Sequence, residues 1–238
     1  MAGSGYVTLT RHVGLMREMH TIANNIANLS TTGYRREGVL FSEYVKSTDG
    51  PDGSVSMAAA RGRNLDLSQG SISSTGSPFD MAIQGDGFFL VDTPQGERLT
   101  RAGNFTTNEN GDLVTPDGHL LLDSGGSTIF VPPDSLSFSI SADGTVSADG
   151  EPISQVGLYK PVSSHDLVHE SGVLFRVNGE IEPLEDVSIL QGHLENANVD
   201  PVLEIARMIE VQRAYEQGQS FLEKEGDRIS SLIKTLGR

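Results

Sequence analysis

The sequence predicts an α+β protein in which long, coiled-coil-like N- and C-terminal helices flank a mainly antiparallel β middle domain. Three observations support this fold class. Apolar residues recur at steps of three and four near both ends of the 238-residue chain, as on one face of a helix. Turn signals containing glycine recur at short spacing between the two ends, as in a sheet made of hairpins. The charge of the chain changes at the same places.

The C-terminal helix is predicted from about Pro201 to Leu236, with Asp200 as its N-cap and Pro201 at the first helical position. Its apolar stripe follows alternating steps of three and four residues through Met208, Val211, Tyr215, Gly218, Leu222, Glu225, Ile229, Leu232 and Leu236. A period of 3.5 residues is typical of a helix that packs along another helix. A helix of about 36 residues extends ~54 Å, too far for one small core, so it requires a helical partner.

The N-terminal helix is predicted from about Leu9 to Leu29. Its stripe consists of Leu15, Met19, Ile22, Ile26 and Leu29, and a second apolar line is formed by Leu9, Val13, Met16 and Ala23. We expect the helix to end after Asn28, because β-branched residues follow and Gly33 can adopt a positive φ. The pattern leaves two hypotheses open: the two helices cap an ordinary core, or they mediate oligomerisation.

The chain between the helices reads as a connector followed by a β domain. We divide the sequence into an N-terminal assembly helix (1–33), an extended connector (34–78), a β-rich middle domain (79–190) and a C-terminal assembly helix (191–238). Residues 49–53 predict a loop in the connector. Residues 80–92 predict a hairpin with its turn at Gly85-Asp86-Gly87, and further turn signals at Asn110-Gly111 and Asp143-Gly144 predict more hairpins.

The net charge of -15 is concentrated in the middle of the chain. Residues 64–198 contain four Lys or Arg and twenty Asp or Glu, whereas the two ends are nearly neutral. An acidic middle repels phosphates, so we expect neither nucleic acid binding nor attraction to anionic lipid. Nearly neutral ends can pack against copies of themselves without comparable repulsion.

The composition also limits the cellular compartment and the side-chain chemistry expected of this protein. The first twenty residues contain five charged or histidine side chains and no apolar run, so we expect no cleaved secretory signal. No stretch approaches about 18 uninterrupted apolar residues, so we expect no membrane insertion. The chain has no cysteine, which excludes disulfides, thiolate zinc sites and a cysteine nucleophile.

The sequence contains few signs of catalysis. His165 and His169 are four residues apart and would share a face of a helix, as in a zinc hydrolase. However, Asp166 stands where such enzymes carry glutamate, and the segment lies in a β-rich region. Nucleophile-elbow and phosphate-loop motifs are absent from the sequence. We therefore expect no enzyme and no cofactor, and keep the zinc hydrolase as the alternative from a different class.

Four segments, in order along the chain, resemble the rod and hook axial proteins of the bacterial flagellum. They are ANNIAN with TTGY (23–28 and 31–34), DMAIQGDGFF (80–89), TRAGNF with NGDLV and DG (100–105, 110–114 and 117–118), and NVDP through QRAYE (198–201 to 212–216). Met81 replaces the leucine that is usual in the second segment, a change that conserves volume. Length and the opening segment 5–11 are most similar to a proximal rod member, and a distal rod member is the alternative within the family.

The resemblance implies a structural subunit of the proximal rod that transmits torque for motility. Its partners would be neighbouring rod proteins, copies of itself and the flagellar export apparatus, with no nucleic acid. The terminal helices would form an inner layer around an export channel, with the β region outside, in the periplasmic basal body. The subunit-interface residues would be Leu15, Met19, Ile22, Asn24, Asn25, Ile26, Asn28, Leu29, Met208, Val211, Tyr215, Leu222, Ile229, Leu232 and Leu236. The asparagines would either fix helix register or merely end the helix.

Overall fold

The fold was analysed in a computed structural model that describes residues 2–47, 54–184 and 188–236. Two compact units share the chain. The helical unit contains residues 1–27, 36–66 and 199–238, and the β unit contains residues 28–35 and 67–198. Each unit is therefore built from segments that are far apart in the sequence. No helix in the described ranges is long and apolar enough to cross a membrane.

The helical unit consists of two helices and a hairpin. The elements are α1 (Ala2–Ala27), β1 (Glu37–Ser47), β2 (Ser54–Leu65) and α2 (Pro201–Leu236). Strands β1 and β2 pair antiparallel from Glu37 opposite Leu65 to Ser47 opposite Ser54, with a register shift between Leu40 and Phe41. We predicted that residues 34–78 form an extended connector. Much of this segment is instead a long hairpin, in which the backbone groups of β1 and β2 pair with each other. The loop predicted at 49–53 lies outside the described residues.

The predicted start of α2 and the predicted end of α1 agree with the structure to within one residue, but α1 begins at Ala2, seven residues before the predicted start at Leu9. The Asp200 carboxylate accepts hydrogen bonds from the backbone N–H groups of Val202 (2.8 Å) and Leu203 (3.1 Å). Asp200 is therefore the N-cap of α2, as predicted. Helix α1 ends at Ala27, one residue before the predicted stop at Asn28.

The β unit consists of short strands, as the closely spaced turn signals predict. Its strands are β3 (Ile72–Ser74), β4 (Met81–Gln84), β5 (Phe88–Thr93), β6 (Gly96–Thr100), β7 (Thr106–Thr107), β8 (Leu113–Val114), β9 (Leu120–Leu121), β10 (Phe138–Ile140), β11 (Thr145–Ala148), β12 (Glu151–Gln155), β13 (Leu158–Pro161), β14 (Leu167–His169), β15 (Leu174–Val177), β16 (Ile181–Pro183), β17 (Ser188–Gln191) and β18 (His193–Glu195). A single turn of 3₁₀ helix covers Ser164–Asp166.

The strands of the β unit pair antiparallel throughout the described part. The largest sheet has the order β14-β15-β6-β5-β9-β8-β7, with β13 also pairing with β5 and β16. Smaller sheets pair β10-β11-β12, β17 with β4, and β18 with β3. The last two pairings join residues more than a hundred positions apart, which closes the unit on itself.

The core of the β unit is built from alternate strand residues. Met81, Phe89, Leu113, Leu121 and Ile129 are almost completely buried in one cluster. The rings of Phe89 and Phe105 meet edge to face, with centroids 5.3 Å apart, a favourable aromatic geometry. The methionine that replaces the usual leucine therefore fills a core position.

One strand pairing differs from the prediction. The predicted strands at 81–84 and 88–93 both exist, but they do not form a hairpin with each other: β4 pairs with β17, and β5 pairs with β6. The carbonyls of the segment between them, at Ile83, Gly85 and Gly87, accept hydrogen bonds from the Arg101 guanidinium. Because β4 and β5 pair with other strands and not with each other, the hairpin prediction was wrong.

Gly33 lies where the chain leaves α1 and enters the β unit. Its φ is +69°, and a Cβ there would lie 2.7 Å from Cα of Ala102 and closer still to neighbouring backbone atoms. Gly76 has a similar φ of +74° but open space around it. Gly33→Ala should therefore destabilise the protein more than Gly76→Ala, which carries only the left-handed penalty of about 1–2 kcal/mol. Urea unfolding followed by circular dichroism measures the difference; equal losses would contradict the close approach.

The Asp123 carboxylate stabilises a tight turn in the β unit. Burial alone would raise the pKa of Asp123, but hydrogen bonds from the backbone of Ser127 and Gly125 and from the Ser154 hydroxyl outweigh it and lower that pKa. Between the lowered folded pKa and the unfolded value of about 3.9, the unfolded chain binds more protons. Stability should therefore fall as pH decreases through this window.

Asp123→Asn should flatten this acid dependence, measured as the urea midpoint between about pH 6 and pH 3. Asp134→Asn is the matched control, because within the described residues the exposed Asp134 side chain accepts no hydrogen bond. A steeper or unchanged profile in Asp123→Asn would show that this carboxylate does not set the acid response.

Candidate functional site

The two terminal helices pack against each other in the helical unit. Asn25 of α1 meets Glu204 of α2, Glu18 meets Arg207, and the rings of His12 and Tyr215 lie 4.3 Å apart between centroids. Residue numbers fall along α1 as they rise along α2, so the helices run antiparallel. The partner that the long C-terminal helix requires is thus, over its first half, the N-terminal helix of the same chain.

The predicted stripes form the interface between these helices. Leu15, Ile22 and Val211 are buried in one apolar cluster, against which Met19, Ile26, Met208, Ala214 and Tyr215 pack. Seven of the residues that we assigned to a subunit interface therefore contact each other within one chain: Leu15, Met19, Ile22, Ile26, Met208, Val211 and Tyr215. Their role between subunits stays a prediction.

The remaining predicted interface residues are not part of this cluster. Asn24 is exposed on α1, whereas Asn28 and Leu29 are half-buried in the segment that follows the helix. On α2, Leu222 is half-buried, and Ile229 and Leu232 are 50% and 49% exposed. The side chain of Leu236 lies outside the described part of the chain.

Asn25 is the central polar residue of the helical unit. It is buried, and its Oδ1 accepts a hydrogen bond from the backbone N–H of Glu37 (3.0 Å). Its Nδ2 donates to the backbone carbonyl of Glu37 (2.8 Å) and to Oε2 of Glu204 (3.1 Å). One amide thereby pairs with the first residue of β1 as a neighbouring strand would, and also binds α2. Asn25 therefore does more than end helix α1.

Glu204 completes this network. Its side chain is 1% exposed, and its Oε1 accepts a hydrogen bond from Nε of Arg36 at 2.5 Å. Removing one partner of a buried ion pair leaves an uncompensated charge, which is strongly destabilising. We did not predict Glu204 from the sequence, although it continues the apolar stripe four residues before Met208. A charged residue in an otherwise apolar stripe was the available signal.

A glycine in α2 makes room for a histidine of α1. A Cβ at Gly218 would clash with Nε2 and Cδ2 of His12. Gly218 therefore occupies a stripe position because the ring of His12 fills the space that a side chain would take. This explains a residue that weakens helices by about 1 kcal/mol relative to alanine.

The outer surface of the helix pair is apolar but uncovered in one chain. Leu9, Val13 and Met16 of α1 are about half exposed, and on α2 the exposed large apolar residues are Val202, Leu203, Ile205, Ile209, Phe221, Ile229, Leu232 and Ile233. Exposed apolar patches of this kind mark interaction sites. Of these residues, Leu203 also lines a groove of about 680 Å³, whose other lining residues are Arg11, Leu15, Glu18, Arg36, Ala206, Arg207, Glu210, Val211 and Ala214.

The β unit contains a second buried charge cluster. The Glu195 carboxylate is completely buried, with Oε1 2.6 Å from Nη1 of Arg35 and Oε2 2.6 Å from Nε of Arg101. Burial lowers the pKa of Arg101; the charge and hydrogen bond of Glu195 oppose this effect, and the nearby Arg35 adds to it. The sequence segment around Thr100 and Arg101 was singled out only by its resemblance.

The histidines of the zinc alternative do not share a helix face. His165 lies in the 3₁₀ turn and His169 in β14, where its Nε2 is 2.8 Å from the carbonyl oxygen of Gly172. Among the described residues, no group of three or more His, Cys, Asp or Glu side chains could hold a metal ion. The helical geometry on which that alternative depends is therefore not formed.

Three family models match the chain. They are the flagellar hook protein FlgE/F/G D1 domain (residues 82–148), the flagellar basal body rod FlgEFG protein C-terminal region (190–235) and the flagella basal body rod protein (15–35). The matched ranges contain most of the core of the β unit, nearly all of α2 and the second half of α1.

Curated relatives align along the whole chain. The flagellar basal-body rod protein FlgF of Mesorhizobium japonicum is 40% identical over 100% of this chain and 99% of its own. FlgF of Caulobacter vibrioides is 38% identical over 98% and 97%. FlgG of Bacillus subtilis is 32% identical over 98% of each.

The fold and these matches define a structural axial protein of the bacterial flagellum, not an enzyme. The chain belongs to the family of flagellar basal-body rod proteins. The two FlgF proteins are more similar to it than the FlgG protein, in agreement with the prediction of a FlgF-type member. As a rod subunit it assembles with other subunits of the basal body.

Asn25→Ala should distinguish between the two roles predicted for the asparagines, which are to fix the helix register or merely to end the helix. It leaves buried groups of Glu37 and Glu204 without this partner, and each buried unsatisfied group costs about 1–3 kcal/mol. Asn24→Ala is the matched control, because Asn24 is the exposed neighbour on the same helix. Thermal unfolding followed at 222 nm should show a clear loss of stability for Asn25→Ala alone; equal effects would reduce both asparagines to helix-ending residues.

Proposed function

We propose that this rod subunit polymerises through its terminal helices, and that the packed helices transmit torque along the rod. The observation that carries the proposal is the uncovered end of α2. Helix α1 lies antiparallel to α2 with His12 beside Gly218, so Ile229, Leu232 and Ile233 lie near or beyond the level at which α1 begins. These three side chains are 50%, 49% and 65% exposed.

The groove on the outer face of the helix pair has the features of a helix-binding site. Ala206 and Ala214 allow close approach of another helix, and the exposed Leu203 supplies apolar contact. Arg11, Arg207 and Glu210 line the groove beside them. We propose that the groove of one copy receives the end of α2, its tail, from a second copy. Tail and groove are different surfaces, so the contact is heterologous and can repeat from copy to copy in an open helical array.

The energies favour an array over a stable dimer. Burying three large apolar side chains contributes at most about 5–9 kcal/mol. Association costs an estimated 4–15 kcal/mol in lost freedom and ordering. One tail-in-groove contact is therefore weak, and a subunit held by several neighbours is stable. This balance suits a protein that must travel as a monomer before it assembles.

We further propose that the subunit lies in the periplasmic part of the basal body and reaches it through the flagellar export apparatus. The resemblance of its terminal segments to those of axial proteins supports this proposal. A monomer with an uncovered helix end suits such a route, because isolated helical ends are marginally stable in water.

Ile229→Asp combined with Leu232→Asp should abolish swimming and leave the purified monomer folded, because both side chains are exposed in one chain. Ile26 is a poorer test position, since it packs within the intrachain cluster. Motility in soft agar and electron microscopy of isolated basal bodies measure the effect, with circular dichroism as the folding check.

Ser230→Asp combined with Ser231→Asp is the matched control, because it adds the same two negative charges at exposed positions between the two apolar residues. Ala206→Arg in the groove should reproduce the defect from the receiving side. Normal motility of the Ile229→Asp and Leu232→Asp double variant would contradict assembly through the end of α2.

A further inference from the structure

The β unit contains a small basic cavity that rod assembly does not explain. Its volume is about 200 Å³. Three cationic side chains, Arg35, Arg101 and Lys160, line it together with Asp86 and Ser164, and the remaining lining residues are Leu67, Gly87, Phe88 and Pro161. Both arginines are buried, whereas Lys160 is about half exposed.

The buried charges beside this cavity do not balance. Arg35 and Arg101 share one carboxylate, that of Glu195, whose Oε1 also accepts a hydrogen bond from the backbone N–H of Gly70 (2.8 Å). One negative charge therefore faces two guanidinium groups. An uncompensated buried charge is costly unless further groups stabilise it. For Arg101, three backbone carbonyls of the segment 83–87 accept its remaining hydrogen bonds.

Arg35 lacks such support. Its Nη1 donates to Oε1 of Glu195 (2.6 Å) and to the carbonyl of Ser68 (3.0 Å). Its Nε is buried and has no hydrogen-bond partner among the described residues. A buried N–H of a charged group without an acceptor costs more than a neutral one. Arg35 therefore keeps a positive charge beside the cavity that its single, shared carboxylate partner does not balance.

We propose that this cavity binds a small free oxyanion of the phosphate class. The anion would balance the second guanidinium charge, with Lys160 and the Ser164 hydroxyl as hydrogen-bond donors at the cavity. Lys160 is available, because its pairing with Glu182 spans 3.7 Å between two half-exposed side chains and such pairs contribute little. The exposed Asp86 carboxylate lines the same cavity and opposes anion binding.

Inorganic phosphate is the probe, added to the dilute full-length monomer at constant ionic strength against sodium chloride. The melting temperature should rise with phosphate and then level off as the site fills. Lys160→Ala should weaken binding about tenfold, as expected for a charged hydrogen bond. Asp86→Asn should strengthen binding several-fold, an effect that a purely structural role of Asp86 would not produce.

Arg176→Ala is the matched control, because Arg176 and Lys160 have the same side-chain exposure of 48% and each lies near a surface glutamate. It should leave phosphate affinity unchanged. Phosphate that stabilises the monomer no more than chloride would overturn the proposal. Equal weakening in Lys160→Ala and Arg176→Ala would also overturn it, by showing only general charge attraction. The measurement uses monomer, so it is independent of the assembly proposal.

Discussion

The helical unit depends on the hydrogen bonds of one buried amide. Asn25 binds both backbone groups of Glu37 and the carboxylate of Glu204, so α1, β1 and α2 meet at a single side chain. Apolar contacts along the helices are tolerant of sliding, because any large side chain contributes similar burial. The amide is not tolerant, since a shift of one turn would leave its partners unsatisfied. We therefore propose that a polar contact within an apolar interface sets the antiparallel register of the helices.

Each compact unit is organised in a similar way around one buried glutamate. Glu204 holds Arg36 in the helical unit, and Glu195 holds Arg35 and Arg101 in the β unit. Arg35 and Arg36 are neighbours in sequence but belong to different units. These two adjacent arginines thus pair with two separate carboxylates, and the chain passes from the β unit to the helical unit between Arg35 and Arg36. Buried pairs of this kind favour one arrangement of the chain over alternatives more than they add stability.

The division of the long helix explains how a rod subunit can be both folded and ready to assemble. The first half of α2 is covered by α1, which gives the monomer a defined helical unit. The second half keeps exposed apolar residues and lies near or beyond the start of α1. A helix of this length cannot be covered by a shorter partner, so the difference in length between 26 and 36 residues leaves surface for other subunits.

Periodicity and turn chemistry determined much of this fold from the sequence. The two helices, the N-cap at Asp200, the positive φ of Gly33 and the antiparallel β unit are local consequences of residue type, and these expectations agree with the structure. The stripe from Met208 to Leu222 also lies on the predicted inward face. Such features follow from the sequence because they depend on residues only a few positions apart.

Pairings between distant residues were decided only by the tertiary structure. The sequence placed strands at 81–84 and 88–93 but could not show that Arg101 binds the carbonyls between them or that the two strands pair with other strands. It marked Asn25 without revealing Glu37 and Glu204 as its partners, and it did not indicate that Glu195 serves two arginines. Buried charges and amides bind groups that only folding brings within hydrogen-bond distance. These contacts therefore cannot be inferred from the spacing of residues along the chain.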